Sequence, residues 1–220
     1  MIAWSVIVPV KPWGLAKSRL EVPTDVRYDV ARAMTLDTLE ALRDAKLVGS
    51  IVVVSADREV RAAAAHLGAR LIEDRPLATF DGLNVAVRLG RAWLAKERAL
   101  APVAVVPTDL AGLTADALDE MLREVGPKAR QHVVDAHGTG TTVMMAPAPR
   151  TLMPAYGPDS ARDHVALGSR ARLDVDDCLR RDVDTTQDWQ DFVVSGASAG
   201  RHLNRLVRSR SSRSSAVGAR

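Results

Sequence analysis

Between Ser50 and Ser55 the chain reads Ser-Ile-Val-Val-Val-Ser, with β-branched residues at every position from Ile51 to Val54. A strand with one face in water alternates apolar and polar residues. One that is apolar throughout is buried on both faces. Two covered faces need a layer on each side, and helices joining parallel strands supply such layers. The rest of the first half fits this demand. Ser5–Val10 and Val103–Val106 read as further buried strands, and Arg70–Glu73 as a short one. Helices are predicted from Asp25 to about Ala45, capped by Thr24, and over Arg58–Leu67, stopped by Gly68. Another is expected from Gly82 to about Arg98, and one capped by Thr114 to about Val125.

The second half is more mixed. Strands are expected at His132–Asp135 and Thr142–Ala146, with a last one ending near Asp182. Short helices are expected near Ala161–Leu167 and from Thr186 to about Val194. The fold class is therefore α/β: one domain, a mixed but mostly parallel sheet, helices on both faces. At 220 residues the chain suits a single domain over 1–195 with an appendage over 196–220.

The appendage is rich in Ser and Arg and is expected to be disordered from about residue 208. Leu203, Leu206 and Val207 give its start an apolar face on which to dock. Its last twenty residues hold six arginines and no acid; without them 24 basic residues face 27 acidic ones. The net charge of +3 thus belongs to the tail. A nucleic-acid-binding face on the domain is not expected, and the 4% aromatic content argues against base stacking. Cys178 is the sole cysteine, so an intrachain disulfide or cysteine metal cluster is excluded, and the thiol is read as inert. No run approaches the roughly 18 apolar residues of a membrane span, and no signal peptide is evident; a soluble, cytoplasmic enzyme is the expectation.

Ligands of open parallel sheets bind at the carboxyl ends of the strands. The loop Lys11–Leu20, after the first strand, carries Lys11, Lys17 and Arg19 beside Gly14, the groups a polyphosphate needs. It has neither a Walker ending nor a dinucleotide fingerprint. Read alone it is equally an ordinary basic surface loop. Trp13, inside it, is a candidate to cover a base; Trp4, Trp93 and Trp189 read as core. After Val105-Val106, the segment Pro107-Thr108-Asp109 ends a strand in a carboxylate suited to a divalent cation, or to capping a turn. Asp182 and Asp184 stand two apart on an extended segment and repel unless a cation lies between them. Asp174 and Asp176 form an equivalent pair, and spacing does not choose between the two. The turns His137–Thr142 and Gly157–Ser160 offer hydroxyls and backbone donors to an anion, or are plain turns. The histidines, His164 included, read as structural.

In order, Val8-Pro9-Val10-Lys11-Pro12, Ala16–Leu20, Asp81-Gly82-Leu83-Asn84, Pro107-Thr108-Asp109-Leu110, Gly138–Thr141, Tyr156–Ser160 and Asp182–Thr185 resemble the 2-phospho-L-lactate or phosphoenolpyruvate guanylyltransferase family of coenzyme F420 biosynthesis. The family more often has Pro-Ala-Asp-Leu-Pro around Asp109 and Phe at Tyr156. The resemblance implies a nucleotide-diphospho-sugar-transferase-like, Rossmann-like fold. It implies Mg²⁺ or Mn²⁺ on Asp109, Asp182 and Asp184, which favours that pair over Asp174 and Asp176. Those three carboxylates and Lys17 would be the catalytic set. It implies contacts to GTP from Val10, Lys11, Lys17, Gly82, Asn84 and Asp109. Thr141, Gly157 and Ser160 would hold the acceptor, a small phosphorylated carboxylic acid. The expected reaction moves GMP from GTP to phosphoenolpyruvate or 2-phospho-L-lactate. With phosphoenolpyruvate the products are enolpyruvoyl-2-diphospho-5'-guanosine and pyrophosphate. The next enzyme of the pathway is a candidate partner. The alternatives are 3-phospho-D-glycerate, a sugar phosphate or molybdopterin as acceptor, or a nucleotide-binding regulator without turnover.

Overall fold

A computed structural model describes residues 3–74, 82–126, 129–195 and 200–208. Seven strands form one sheet in the order β3-β2-β1-β4-β6-β5-β7. They are β1 Trp4–Pro9, β2 Val48–Ser55, β3 Arg70–Glu73, β4 Val103–Val105, β5 Gln131–Val134, β6 Thr141–Ala146 and β7 Arg170–Arg172. The helices are α1 Thr24–Asp44, α2 Arg58–His66, α3 Gly82–Glu97, α4 Ala115–Val125, α5 Ser160–Ala166 and α6 Thr186–Val194. A seventh, α7, spans 201–208. β1, β2, β3 and β4 run parallel, as do β5 and β7; β6 alone is antiparallel to both of its neighbours. The mixed, mostly parallel α/β sheet expected from the sequence is present.

The strand run that opened the sequence reading is buried from Ile51 to Ser55. Its residues divide strictly between two cores. Ile51 and Val53 join Val6, Val8 and Ala104 under α1, α2 and α4, where Leu39, Leu42, Val60, Leu118 and Met121 meet them. Val52 and Val54 join Ile7, Val103 and Val105 on the opposite face, against Ala86, Val87 and Leu94 of α3. In-register pairing of Val6 with Ile51 and Ala104 keeps each face uniform across three strands. The α3 face is set by Gly90: a Cβ there would lie 2.7 Å from Ile7 Cγ2 and 3.3 Å from Val54 Cγ2. Helix and sheet therefore approach closer than any side chain would permit.

Three local expectations are corrected. Thr24 does not cap α1; Pro23 occupies the cap without a side-chain bond, and Thr24 is the first helical residue. The last strand is Arg170–Arg172, not one ending near Asp182. Arg-Ala-Arg carries no apolar alternation, so its pairing with β5 is invisible in sequence. The stretch before Asp182 instead folds into a 3-10 turn, Asp177–Leu179, capped by Asp176. Arg180 then ties it to the end of β5 through the carbonyls of Val134 and Asp135. Trp13 is 2% exposed and donates from Nε1 to Thr35 Oγ1 at 3.0 Å, so it is core and not a cover for a base.

A third apolar cluster gathers Leu20, Val30, Met34, Ala111, Val183 and Leu203. Leu203 belongs to α7, whose first turn is capped across the chain: Asp37 accepts from the N–H groups of His202 and Leu203, each at 2.9 Å. Residues 200–208 thus pack beneath the segments that carry the polar residues described next. Asp81, and everything after residue 208, lie outside the described residues.

Candidate active site

The sheet order places β1 beside β4, while the connection from β1 runs outward to β2 and β3. This is a topological switch point, where the loops leaving two adjacent parallel strands diverge and open a crevice. The loop after β1 carries Lys17 and the loop after β4 carries Asp109. A third segment, Asp182–Asp184, reaches the same place from the far end of the chain, pinned by the Val183 N–H donating to Asp109 O at 3.0 Å.

The result is a compact charge cluster. Lys17 Nζ lies 3.0 Å from Asp184 Oδ1 and 3.4 Å from Asp109 Oδ2. One ligand atom from each of Asp109, Asp182 and Asp184 falls within 4.8 Å of the others. Lys17 sits at φ 56°, the only positive φ of a non-glycine residue among the described residues. Left-handed backbone costs a side-chain-bearing residue about 1 kcal/mol or more and persists where the surroundings fix it. Here the fixing contacts are the ion pairs at its head and the Leu20 N–H on its carbonyl. A further tie, Glu21 N–H to Thr186 Oγ1 at 2.8 Å, joins the basic loop to the start of α6.

The electrostatics are unbalanced in a consistent direction. Burial opposes the charge on Lys17, but Asp109 and Asp184 outweigh it and hold the ammonium above its ordinary pKa. Burial, then the charges of Asp109 and Asp184, push Asp182 up to about 7. Asp109 Oδ1 is buried with no hydrogen-bond partner among the described residues. A buried carboxylate oxygen with no donor is costly, and a cation is the partner that would relieve it. The oxygen-only donor set suits a hard divalent ion such as Mg²⁺ or Mn²⁺. Asp174 and Asp176 are spent elsewhere, on Arg172 and on the Cys178 N–H. Burial also pushes the Cys178 thiol up to about 12, in keeping with an inert cysteine. Thr185 caps α6 in a reciprocal box with Asp188, which leaves the Asp184 carboxylate to the cluster.

The expected acceptor residues lie on β6, α5 and the loop before α5. Thr141 opens β6, Ser160 opens α5, and exposed Gly157 lies in the loop between them. A residue expected to be structural, His164, touches Thr141 and the start of that loop. His164 Nδ1 lies 2.9 Å from Thr141 Oγ1, and its Nε2 accepts from the Ala155 N–H at 2.9 Å. Tyr156 is half-buried; loss of solvent around its hydroxyl, then the Asp109 carboxylate, raise its pKa, so the phenol stays protonated. Its backbone is gripped by Asn84, which donates to Tyr156 O and accepts from Tyr156 N, both at 2.8 Å. Asn84 is therefore a clamp on the loop that holds Tyr156 and Gly157, a role its place in the expected GTP turn did not announce. In the other glycine turn, the N–H groups of Gly138 and Thr139 are given to Asp135 Oδ1, so they bond within the turn.

Val10 is buried and donates its N–H to Val54 O; Lys11 beside it is exposed, and Gly82 begins α3. A cavity of about 510 Å³ touches Asp182 but is lined by none of Lys17, Asp109 and Asp184. The crevice at the strand ends, and not that cavity, holds the assembled chemistry. No described helix is long and apolar enough to cross a membrane.

Comparison with known proteins agrees with this geometry. Phosphoenolpyruvate guanylyltransferase of Salinispora arenicola (strain CNS-205) is 40% identical over 200 residues, covering 88% of this chain and 89% of that one. Among solved structures, a Desulfovibrio desulfuricans G20 protein provisionally described as a nucleotide-diphospho-sugar transferase superposes with a TM-score of 0.69. It is 13% identical and covers 96% of each chain, so it speaks to the fold alone. A manganese complex of a Mycobacterium tuberculosis H37Rv protein superposes with a TM-score of 0.58 at 20% identity, covering 89% of this chain and 100% of that one. The family profile described as "Guanylyl transferase CofC like" matches residues 4–216. The chain belongs to that family of guanylyltransferases, and is a nucleotidyltransferase.

Proposed function

We propose that this guanylyltransferase moves GMP from GTP to the phosphate of phosphoenolpyruvate, releasing pyrophosphate. The observation that carries the reading is the Lys17, Asp109, Asp182 and Asp184 cluster at the switch point. The acceptor is taken from the relatives, several of which are phosphoenolpyruvate guanylyltransferases at 31–40% identity. 2-Phospho-L-lactate and 3-phospho-D-glycerate are the nearest competing acceptors: the first replaces the methylene double bond with a methyl on a saturated carbon, and the second has a C2 hydroxyl and carries its phosphate one carbon farther from the carboxylate.

Both reactants are polyanions, so the protein's first task is to bring like charges together. Asp109, Asp182 and Asp184 would hold Mg²⁺, or Mn²⁺ in its place, and the ion when bound would neutralise and orient the phosphate oxygens. Lys17, kept charged by its two carboxylate partners, offers a second positive group at the same point. Lys11, with the backbone of Val10, Gly82 and Asn84, lines the nucleotide side. Thr141, Gly157 and Ser160 hold the acceptor, whose phosphate oxygen attacks the α-phosphorus of GTP in line. No protein nucleophile or general base is required, because that phosphate is already ionised at neutral pH.

The test is pyrophosphate release with GTP and Mg²⁺, run in parallel on phosphoenolpyruvate, 2-phospho-L-lactate, 3-phospho-D-glycerate, a sugar phosphate and molybdopterin. Fastest turnover on phosphoenolpyruvate is expected. A higher kcat/KM on another acceptor transfers the assignment to it. Tight GTP binding without release from any acceptor favours a regulator.

A further inference from the structure

His164 is buried, lies on α5, and is used by none of the chemistry above. Its two ring nitrogens have unequal partners. A backbone N–H can only donate, so the Ala155 N–H at 2.9 Å obliges Nε2 to be the unprotonated, accepting nitrogen. A neutral imidazole then carries its hydrogen on Nδ1, where Thr141 Oγ1 lies 2.9 Å away, and the Ser160 backbone carbonyl is a second acceptor for the ring N–H. A threonine hydroxyl has one hydrogen and two lone pairs. With a lone pair taken by the imidazole N–H, the hydroxyl hydrogen is left to be donated outward. The reverse tautomer would aim an N–H at the Ala155 N–H and would consume the hydroxyl hydrogen on the ring.

We propose that His164 is a positioning residue which fixes Thr141 as a hydrogen-bond donor to the anionic acceptor. This deepens the functional reading given above and rests on it. The same side chain sets the spacing of the acceptor segments: Thr141 through Nδ1, the chain entering Gly157 through Ala155 and Nε2, and Ser160 as the start of its own helix. The surroundings keep the ring neutral. Burial, then the neighbouring His132, lower its pKa to about 4 against the opposing pull of Asp163. Tyr156 closes the pocket with an edge-on ring 5.3 Å away. A neutral ring is what the geometry needs, because the imidazolium would lose the acceptor for Ala155.

Two substitutions separate positioning from simple support. In His164→Asn the amide nitrogen falls near the place of Nδ1 and retains a donor for Thr141, but nothing reaches Ala155. In His164→Gln the amide reaches Ala155 and the donor to Thr141 is lost. The expected result is a KM for phosphoenolpyruvate raised about tenfold in His164→Gln, the worth of one hydrogen bond, with KM for GTP nearly unchanged. His164→Asn should stay close to wild type in both. Thr141→Val should match His164→Gln, and the double variant should be no worse than either single one. In the intact protein, ¹⁵N spectra of the imidazole should show the neutral Nδ1–H tautomer down to about pH 5. The proposal is overturned if His164→Asn is the more impaired, or if both variants shift the two KM values alike. An Nε2–H tautomer, or a ring that titrates near its ordinary value, also overturns it. If the wild-type protein fails to release pyrophosphate with phosphoenolpyruvate, the acceptor assignment falls and takes this proposal with it. Normal wild-type turnover with an unmoved KM in His164→Gln overturns this proposal alone.

Discussion

Lys17 Nζ and Asp184 Oδ1 lie 3.0 Å apart although 167 residues separate them in sequence. The bond joins the loop that leaves the first strand to the segment that opens the sixth helix. Asp109, from the loop after the fourth strand, completes the bridge at 3.4 Å. Removal of Asp109 or Asp184 costs the buried ammonium one partner but relieves repulsion among the carboxylates, and it removes no apolar packing.

Asp109→Asn and Asp184→Asn are therefore expected to reduce turnover by about 10²-fold or more while the melting temperature changes by a few degrees at most. Mn²⁺ affinity, read by calorimetry without substrate, should fall at least about tenfold. Near-normal rates in both variants would sink the metal assignment.

Asp182 ionises near 3.8 in an unfolded chain and near 7 in the folded one. Between those values the folded state holds a proton that the unfolded state has lost. The group's contribution thus favours folding at low pH and is lost as the pH rises through about 7. Its upper size is about 4 kcal/mol. Saturating Mg²⁺ should raise the melting temperature more at pH 8 than at pH 5.5, since below 7 the proton competes for the same oxygen. An equal gain at both pH values would contradict the raised pKa.

Gly90→Ala tests the packing of α3 on the sheet. The added Cβ meets Ile7 and Val54, both fully buried, and neither has room to retreat. A loss of about 1–3 kcal/mol is expected from urea unfolding, with kcat affected less than stability.

Leu203→Ala tests the docking of α7. Leu203 is fully buried in the cluster that includes Leu20, at the end of the basic loop, and Val183, between the two aspartates. A cost of about 2–3 kcal/mol is expected, at the low end for a buried leucine because the helix is terminal. Asp37→Ala, which strips the cap from His202 and Leu203, should cost about 1–2 kcal/mol.

Asn84→Ala removes the two-bond grip on the Tyr156 backbone. Steady-state kinetics should show KM for phosphoenolpyruvate rising several-fold more than KM for GTP. The opposite ratio would mean that Asn84 serves the nucleotide first.

What the sequence by itself determined is local and periodic. The unbroken run Ile51–Val54 required a strand covered on both faces, and the structure covers it with α1, α2 and α4 on one side and α3 on the other. Carboxylates and cations at strand ends made Lys17, Asp109 and two aspartate pairs candidates, and the resemblance to the guanylyltransferase family, carried by the order of the motifs, favoured Asp182 and Asp184. Tertiary structure alone decided the rest, because the deciding contacts join residues far apart in the chain. Spacing could not choose Asp182 and Asp184 over Asp174 and Asp176, and the resemblance only favoured them; the backbone bond from Val183 to Asp109 is what brings that pair to the switch point. Trp13 looked available to a base until its indole found Thr35 on α1. Arg170–Arg172 has no strand pattern and becomes one only because β5 presents an open edge. His164 read as a structural histidine because its meaning lies in two partners, Thr141 and Ala155, that only the fold sets on opposite sides of its ring.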